Sequence, residues 1–536
     1  MEEEESEEVR CERLLRESRA RREAIAAKHR ASSGSGGGGG GGIGGGDVGG
    51  AAQAAAAAPP PPLPPPPPPP PPGTAPVANM FDLDADLEAL VGGGARVAAA
   101  MQGGGGARAT QQEAADAEGY FRPRIGELLG GRYHVLGVKG RGVFSCVLHC
   151  RDLQATPSGG GGAPAPALAP APAAPSGGAE GVAPMDAGFE AAVAEVVAGG
   201  GAISVAAAPV SVGSSGALVA RHAALATGSE AFVAIKVLRA QEVLRAAGER
   251  EADVLKSLAT ADPRGRYHTV RLLHVFEHAG HLCLAFEALA ANLKEVAEKF
   301  GKGVGLPLAA VRVYGAQLLL ALGLLRRLGL VHGDLKPHNI LADATYGTVK
   351  LADFGSSFRE DAPEAEPAPY VGSRFYRAPE AILGARHTAA LDMWAAGCVL
   401  FELYTGEPLF AGRSNNDMLF RVQALFGRFP HKMLRKHLAH AGATGAEAHF
   451  DDALRFRRAV ADPVTREPGV KLCDFTAPSE SLAAKLAAAR AGDSRHAVAA
   501  FQALLEGMLA PDPARRITPA DALAHPFIKS PLKKAD

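Results

Sequence analysis

The sequence predicts an α+β chain with two lobes: a small β-rich lobe holding one key helix, then a large, mostly helical lobe. Three observations carry this. Short apolar runs at Tyr133–Leu136, Cys146–Cys150, Ala231–Leu238 and His281–Phe286 have the length and β-branched content of strands. After Leu293 the helical period dominates, most plainly from Val311 to Leu328. Finally, Gly 65 and Pro 40 are crowded into low-complexity stretches. Such stretches cannot bury enough apolar surface to offset their ordering entropy. They leave one large domain rather than the two or three that length alone allows, at about 150 residues each.

In chain order, residues 1–115 read as a largely disordered tail. Glu and Arg are dense up to residue 30, where i,i+4 charge pairs suit a solvated helix. Gly, Ala and then a polyproline run fill 31–79, and the prolines make a stiff, extended spacer. In Met80–Leu90 acidic residues alternate with apolar ones, which suits a short segment that folds on a partner. Residues 116–131 form an ordered lead-in to a domain at 132–528. Its small lobe, 132–287, contains a Gly turn between two strands and a low-complexity insertion at 154–228, which is disordered rather than a second domain. From Glu242 to Leu258, Val243, Leu244, Ala247, Val254, Leu255 and Leu258 fit one helical face. The large lobe runs from 291 to 528, and 529–536 are a short tail.

The charge is balanced, with 56 Lys and Arg against 57 Asp and Glu. A chain built to coat nucleic acid carries a basic surplus, so no direct nucleic-acid binding is expected. The cysteines are scattered, with no CxxC pair and no zinc spacing. The acidic start, Met1–Glu5, is no secretory signal. The longest aliphatic run, Leu318–Leu325, meets Arg326 and Arg327 too early to read as a membrane span. The expectation is a protein of a reducing intracellular compartment with no membrane contact.

Several motifs carry chemistry. Gly140-Arg141-Gly142-Val143-Phe144-Ser145-Cys146-Val147 suits a phosphate clamp, in which glycines let the backbone approach phosphates closely, and by itself equally a plain hairpin. The third glycine position is Ser145, and Val147 would cover one face of an adenine. In Val233-Ala234-Ile235-Lys236, a lysine in a strongly apolar strand needs a buried partner and can pair with the α- and β-phosphates of ATP. Two carboxylates on the next helix compete for that partnership: Glu251, set four residues before Leu255, and the nearer Glu249.

The decisive stretch is His332-Gly333-Asp334-Leu335-Lys336-Pro337-His338-Asn339. Asp334 can accept or orient a hydroxyl proton. Lys336 can offset charge on the γ-phosphate. Asn339, together with Asp353 of Asp353-Phe354-Gly355, supplies oxygen to Mg2+. Phosphoryl transfer needs little more than positioned phosphates, metal ions and such a carboxylate. Ala378-Pro379-Glu380 follows, and Glu380 is expected to pair with Arg516. Asp392 is expected to anchor the backbone of the Asp334 loop.

Taken together these residues resemble the eukaryotic protein kinases over about 132–528. The resemblance implies the two-lobed kinase fold, ATP and Mg2+ as cofactors, and a nucleotide site that also includes Ala234, Glu287 and Leu289. It also makes Glu251 the partner of Lys236. The lysine in Asp334-Leu335-Lys336 is similar to that of serine/threonine kinases. Ser373-Arg374-Phe375-Tyr376-Arg377-Ala378-Pro379-Glu380 resembles the CMGC group and its DYRK branch, which implies an activation loop built on Tyr370, Arg374 and Arg377, and a CMGC-type insert at about 411–500. Asp116–Tyr120, the Ser145 variant, Leu282–Glu287 and Leu403–Gly406 followed by Asn415-Asn416 resemble the pre-mRNA-processing kinases. That branch implies a nuclear enzyme whose partners are spliceosomal proteins, with DYRK-like targets outside splicing as the alternative and a scaffold without chemistry as a third reading. Gly333 departs from the arginine common in kinases, which removes one ligand for a phosphorylated loop.

Overall fold

The structure is a computed structural model, and it describes residues 119–142, 144–155, 231–461, 467–489 and 493–529. All of them belong to the compact unit Ala109–Asp536. The expectations for 1–115, for Met80–Leu90 and for nearly all of the 154–228 insertion lie outside the described residues.

The small lobe is a six-stranded antiparallel sheet. Its strands are β1 (Leu128–Leu129), β2 (Tyr133–Arg141), β3 (Ser145–Asp152), β4 (Ala231–Leu238), β5 (Leu272–His278) and β6 (His281–Glu287), in the order β1-β2-β3-β4-β6-β5. Helix α1 (Glu242–Ala261) follows β4. Alternation along the strands buries Val135, Leu148, Cys150, Ile235 and Cys283 in one core. Phe121 is part of that core and β1 part of the sheet, so the lobe recruits residues ahead of position 132. Helix α1 lays Gly248, Glu251, Ala252, Leu255 and Leu258 inward at helical spacing. A Cβ on Gly248 would come within 2.8 Å of Leu238, so glycine permits the close seat of helix on sheet. The insertion opens between β3 and β4, which still pair without a break from Ser145↔Leu238 to Asp152↔Ala231.

The large lobe begins with β7 (Ala291–Asn292) and α2 (Leu293–Val296), whose start is closed by a capping box between Asn292 and Glu295. Helix α3 (Leu308–Arg327) is long and apolar enough to cross a membrane by length and composition, a property the interrupted Leu318–Leu325 run concealed. Within the described residues 78% of that span is buried, so its apolar surface serves the lobe's core. Then come β8 (Leu330–Val331), β9 (Ile340–Ala342), β10 (Val349–Leu351), β11 (Phe358–Arg359), α4 (Pro379–Ile382) and α5 (Ala390–Thr405). Helix α5 is buried almost all round, and Trp394 on it stacks on Phe410 with ring centroids 5.5 Å apart.

The stretch expected as an insert holds α6 (Asn415–Phe426), α7 (His431–Thr444), the hairpin of β12 (Phe456–Ala461) and β13 (Pro468–Cys473), and α8 (Leu482–Ala489). It is tied down by buried His437, which stacks on His449 at 5.5 Å and bonds Leu383 O through Nδ1 at 3.1 Å. Helices α9 (Arg495–Met508), α10 (Pro519–Ala524) and α11 (Pro526–Lys529) complete the lobe.

Candidate active site

The site lies where β2–β4, α1 and the β8–β11 loops converge. Strand register sets its roof. Gly140 stands opposite Val147, and Val147 opposite Lys236. Directly paired residues share a face of a sheet, as do residues two apart, so Val147, Ala234 and Lys236 project to one side. A Cβ added to Gly140 would meet nothing within 4 Å, so packing does not demand the glycine; it leaves the backbone open to close approach. Gly142 N–H donates to Ser145 O at 2.8 Å, closing the loop at its root. Ser145 is buried at the first position of β3.

Lys236 Nζ lies 2.9 Å from both carboxylate oxygens of Glu251 and 2.9 Å from Asp353 Oδ1. Of the two candidate partners, Glu251 faces inward; Glu249 pairs with Arg245 on the surface at 3.1 Å. Burial alone would pull the Lys236 ammonium toward neutrality, but Asp353 and Glu251 overcome it and its pKa is raised. Burial likewise favours a neutral Asp353, and Lys236 outweighs it, holding that carboxyl below its usual range. Asp353 has φ +62°, a left-handed conformation rare outside glycine. It turns the carboxylate toward Lys236 while Phe354 is buried edge-on against His332, with centroids 5.2 Å apart. The Asp353 side chain remains 49% exposed, open to the slot.

Asp392 on α5 supports the next loop: His332 N–H and Gly333 N–H donate to its carboxylate at 2.7 and 3.1 Å. Burial pushes its carboxyl up, against the pull of His332 and these donors. His332 donates from Nε2 to Ala352 O at 3.0 Å and accepts Asp334 N–H at Nδ1 at 3.3 Å, which reads its tautomer. Gly333 has φ +79°, and a Cβ there would approach Ser356 O at 3.0 Å; the turn itself favours glycine where kinases commonly carry arginine.

Asp334 then meets Lys336 Nζ at 2.8 Å, and Asn339 Nδ2 donates to Asp334 O at 2.9 Å. The nitrogen end of the Asn339 amide is thus engaged, and its oxygen is the end that can ligate a metal. Among the described residues no group of three or more His, Cys, Asp or Glu could hold a metal. One carboxylate and one amide oxygen suit Mg2+, which takes few protein ligands and completes its shell with phosphates and water.

In the sequence Ser373 is only one letter of the Ser373–Glu380 motif. Its Oγ donates to Asp334 Oδ1 at 2.7 Å, its N–H reaches the same oxygen at 3.0 Å, and Lys336 Nζ contacts its hydroxyl at 3.3 Å. No spacing in the sequence announces that contact. At the connection between lobes, the Glu287 carboxylate is spent on Lys350, 2.7 Å to each oxygen, and on Arg271 N–H at 2.8 Å. Only the backbone of Glu287 is therefore left for a nucleotide base. Leu289 O accepts from Lys139 Nζ at 2.7 Å, a contact the sequence reading missed.

Tyr370 is exposed, and the Arg377 guanidinium lies 5.6 Å from its ring centre. Arg377 is buried and donates to Tyr370 O, Val371 O, Gly372 O and Asn415 Oδ1. Burial, with Arg374 adding to it, pulls its pKa down to about 10. Arg374 begins a short 3₁₀ turn beside it. Away from the site, Arg516 donates to Glu380 at 2.5 and 2.9 Å.

Comparison with known proteins matches residues 212–528 to the family described as Protein kinase domain. The match begins inside the insertion, so β2 and β3 lie ahead of it; they belong to the same sheet through the pairing of β3 with β4. The chain is 38% identical over 296 residues to Serine/threonine-protein kinase prp4 of Schizosaccharomyces pombe, covering 55% of this chain and 60% of that one. It is 33% identical over 302 residues to Serine/threonine-protein kinase prpf4B of Dictyostelium discoideum, covering 55% and 36%. It is 40% identical over 205 residues to the Dual specificity protein kinase YAK1 homolog of Arabidopsis thaliana, covering 38% and 21%. The chain thus spans at most 60% of the length of these relatives.

Proposed function

We propose, from the premise that this chain belongs to the protein kinase family, that it transfers the γ-phosphoryl group of Mg-ATP to serine or threonine of protein substrates. One observation carries the reading: Lys236 sits at 2.9 Å from both Glu251 and Asp353, which joins the small lobe, its helix and the metal-ligand carboxylate in one arrangement. Lys236 would hold the α- and β-phosphates, with Gly140, Gly142 and Ser145 above them and Val147, Ala234, Glu287 and Leu289 around the base. Mg2+, held by Asp353 and Asn339, would neutralise phosphate charge. Asp334 would orient the incoming hydroxyl, and Lys336 would meet charge developing on the transferred group. Lys236, Glu251, Asp334, Lys336, Asn339 and Asp353, whose loss would mark a scaffold, are all present, so nothing favours a chain without chemistry.

The names and likeness of the prp4 and prpf4B kinases, with the motif resemblance above, support splicing factors as substrates and the nucleus as the place of action. The likeness to dual-specificity kinases supports Tyr370 as a modification site on the activation loop. Since Gly333 offers no side chain, a phosphate on Tyr370 would be met by Arg374 or Arg377, or need no partner.

The test is incorporation of labelled phosphate from Mg-ATP into an arginine/serine-rich splicing protein by the full chain, Asp334→Asn and Lys236→Arg. Label on Ser and Thr that vanishes in both variants is the expected result. Autophosphorylation without transfer to that protein would move the targets outside splicing. No incorporation despite ATP binding would overturn the catalytic reading.

A further inference from the structure

We propose that Lys139 is a strap across the outer edge of the nucleotide slot and that it governs how quickly bound nucleotide leaves. The proposal rests on the kinase reading, because it takes the slot between β2 and the 287–289 connection to be the nucleotide's.

Two independent features single out this lysine. The first is register. Val138 stands opposite Leu148 and Gly140 opposite Val147, so Lys139 is the extra residue of a β-bulge, with no partner on β3. A bulge re-aims the side chain of its extra residue and is common beside active sites. The second is where that side chain ends: Nζ donates to Leu289 O at 2.7 Å, across 150 residues of chain. The bond joins the strand that carries Gly140 to the segment that links the lobes.

Its surroundings suit a strap that opens and closes. Gly137 and Gly140 flank the bulge, and a Cβ on either would meet nothing within 4 Å. Neither glycine is required by packing, so both leave β2 free to bend at Lys139. An ammonium on a carbonyl is a charge-assisted hydrogen bond, weakened here because the contact is exposed to water. It is strong enough to slow a local opening and weak enough to break on every turnover. A nucleotide leaving the slot must wait for β2 to part from Leu289. A ligand that uses Leu289 O as an acceptor must share it with Lys139 or displace it, whereas one that does not can sit behind the closed strap.

The experiment is stopped-flow release of fluorescent mant-ADP, with Mg2+, from the full chain and from Lys139→Met and Lys139→Arg. Melting temperatures are recorded without nucleotide. Lys139→Met should release mant-ADP about three- to tenfold faster, the worth of one exposed hydrogen bond. Lys139→Arg, which can still donate to Leu289 O, should release it near the parent rate, and the nucleotide-free melting temperature should hold in both. Unchanged release from Lys139→Met overturns the strap while leaving the kinase reading intact. Faster release with an equal drop in nucleotide-free stability in both variants overturns it in favour of a packing role. Failure of the unaltered chain to bind mant-ADP would overturn both.

Discussion

Ser373 and Asp334 are held together twice: the serine hydroxyl and the serine N–H both donate to Asp334 Oδ1, at 2.7 and 3.0 Å. A hydroxyl therefore already rests on the carboxylate that would orient a substrate hydroxyl, and it fixes the plane of that carboxylate. Ser373→Ala should lower kcat/KM for a protein substrate by about tenfold, the worth of one such bond. The KM for ATP should be unchanged, and Ser373→Thr should recover most of the loss. Full activity in the alanine variant would remove Ser373 from the positioning role. Asp334→Asn should lower kcat by about 10²–10⁴-fold while mant-ADP still binds.

Glu251 is the side chain that keeps the Lys236 ammonium in place beside Asp353. In Glu251→Gln the lysine keeps one carboxylate and can swing toward it. The expected outcome is a fall of about 10²-fold in kcat/KM for ATP, the scale of losing one aligned electrostatic group. Steady-state kinetics at several ATP concentrations would check it, and a change below about threefold, or ~0.7 kcal/mol, would contradict it.

Glu380 and Arg516 are almost wholly buried and bonded through both oxygens. Removing one partner strands a charge in the interior. Arg516→Met should cost about 3–5 kcal/mol, read as a lower denaturation midpoint. The double variant Glu380→Gln, Arg516→Met should regain part of that loss, since no bare carboxylate remains. A double variant no better than the single one would show that packing, rather than charge, sets the cost.

His437 gives a signed pH dependence. Burial, the largest cause, pushes its pKa down to about 4. The unfolded chain therefore binds the extra proton first, and stability rises with pH between about 4 and 6.5. The contribution is complete above about pH 6.5 and is lost on acidification, reaching about 3 kcal/mol by pH 4. Denaturation midpoints from pH 7 to 4.5 should fall more steeply for the parent chain than for His437→Asn. Parallel curves would exclude His437 as the source.

Much of this was legible in the sequence, for physical reasons. Strand β4 matched its expected ends because a β-branched, apolar run broken only by Lys236 buries every second residue, Val233, Ile235 and Val237, in one core. The residues alone leave Glu251 and Glu249 in competition, and the family resemblance chooses Glu251, the one that faces inward onto Lys236. Helix α3 gained three residues at its start, where Pro307 and Leu308 carry no periodic signal. What escaped notice depends on closure between distant segments. Phe121 and β1 join the sheet through contacts that a lone aromatic and two leucines do not announce. Lys139 looks like any strand lysine until the β2–β3 register leaves it unpaired. Ser373 gains its meaning only when the loop that carries it folds back onto Asp334.

The uninterrupted β3–β4 pairing has an architectural consequence. The chain departs after Asp152 and returns at Ala231, two residues that stand side by side in the sheet. The entropy of closing such an excursion grows only with the logarithm of its length, about 0.6 kcal/mol for each doubling. The alignment of Gly140, Val147 and Lys236 is set by hydrogen bonds across the sheet and is blind to how many residues lie between the strands. The small lobe thus contains a socket: a position where a fluorescent reporter, an epitope or a whole binding module could be spliced in while the distance from glycine turn to lysine stays the same.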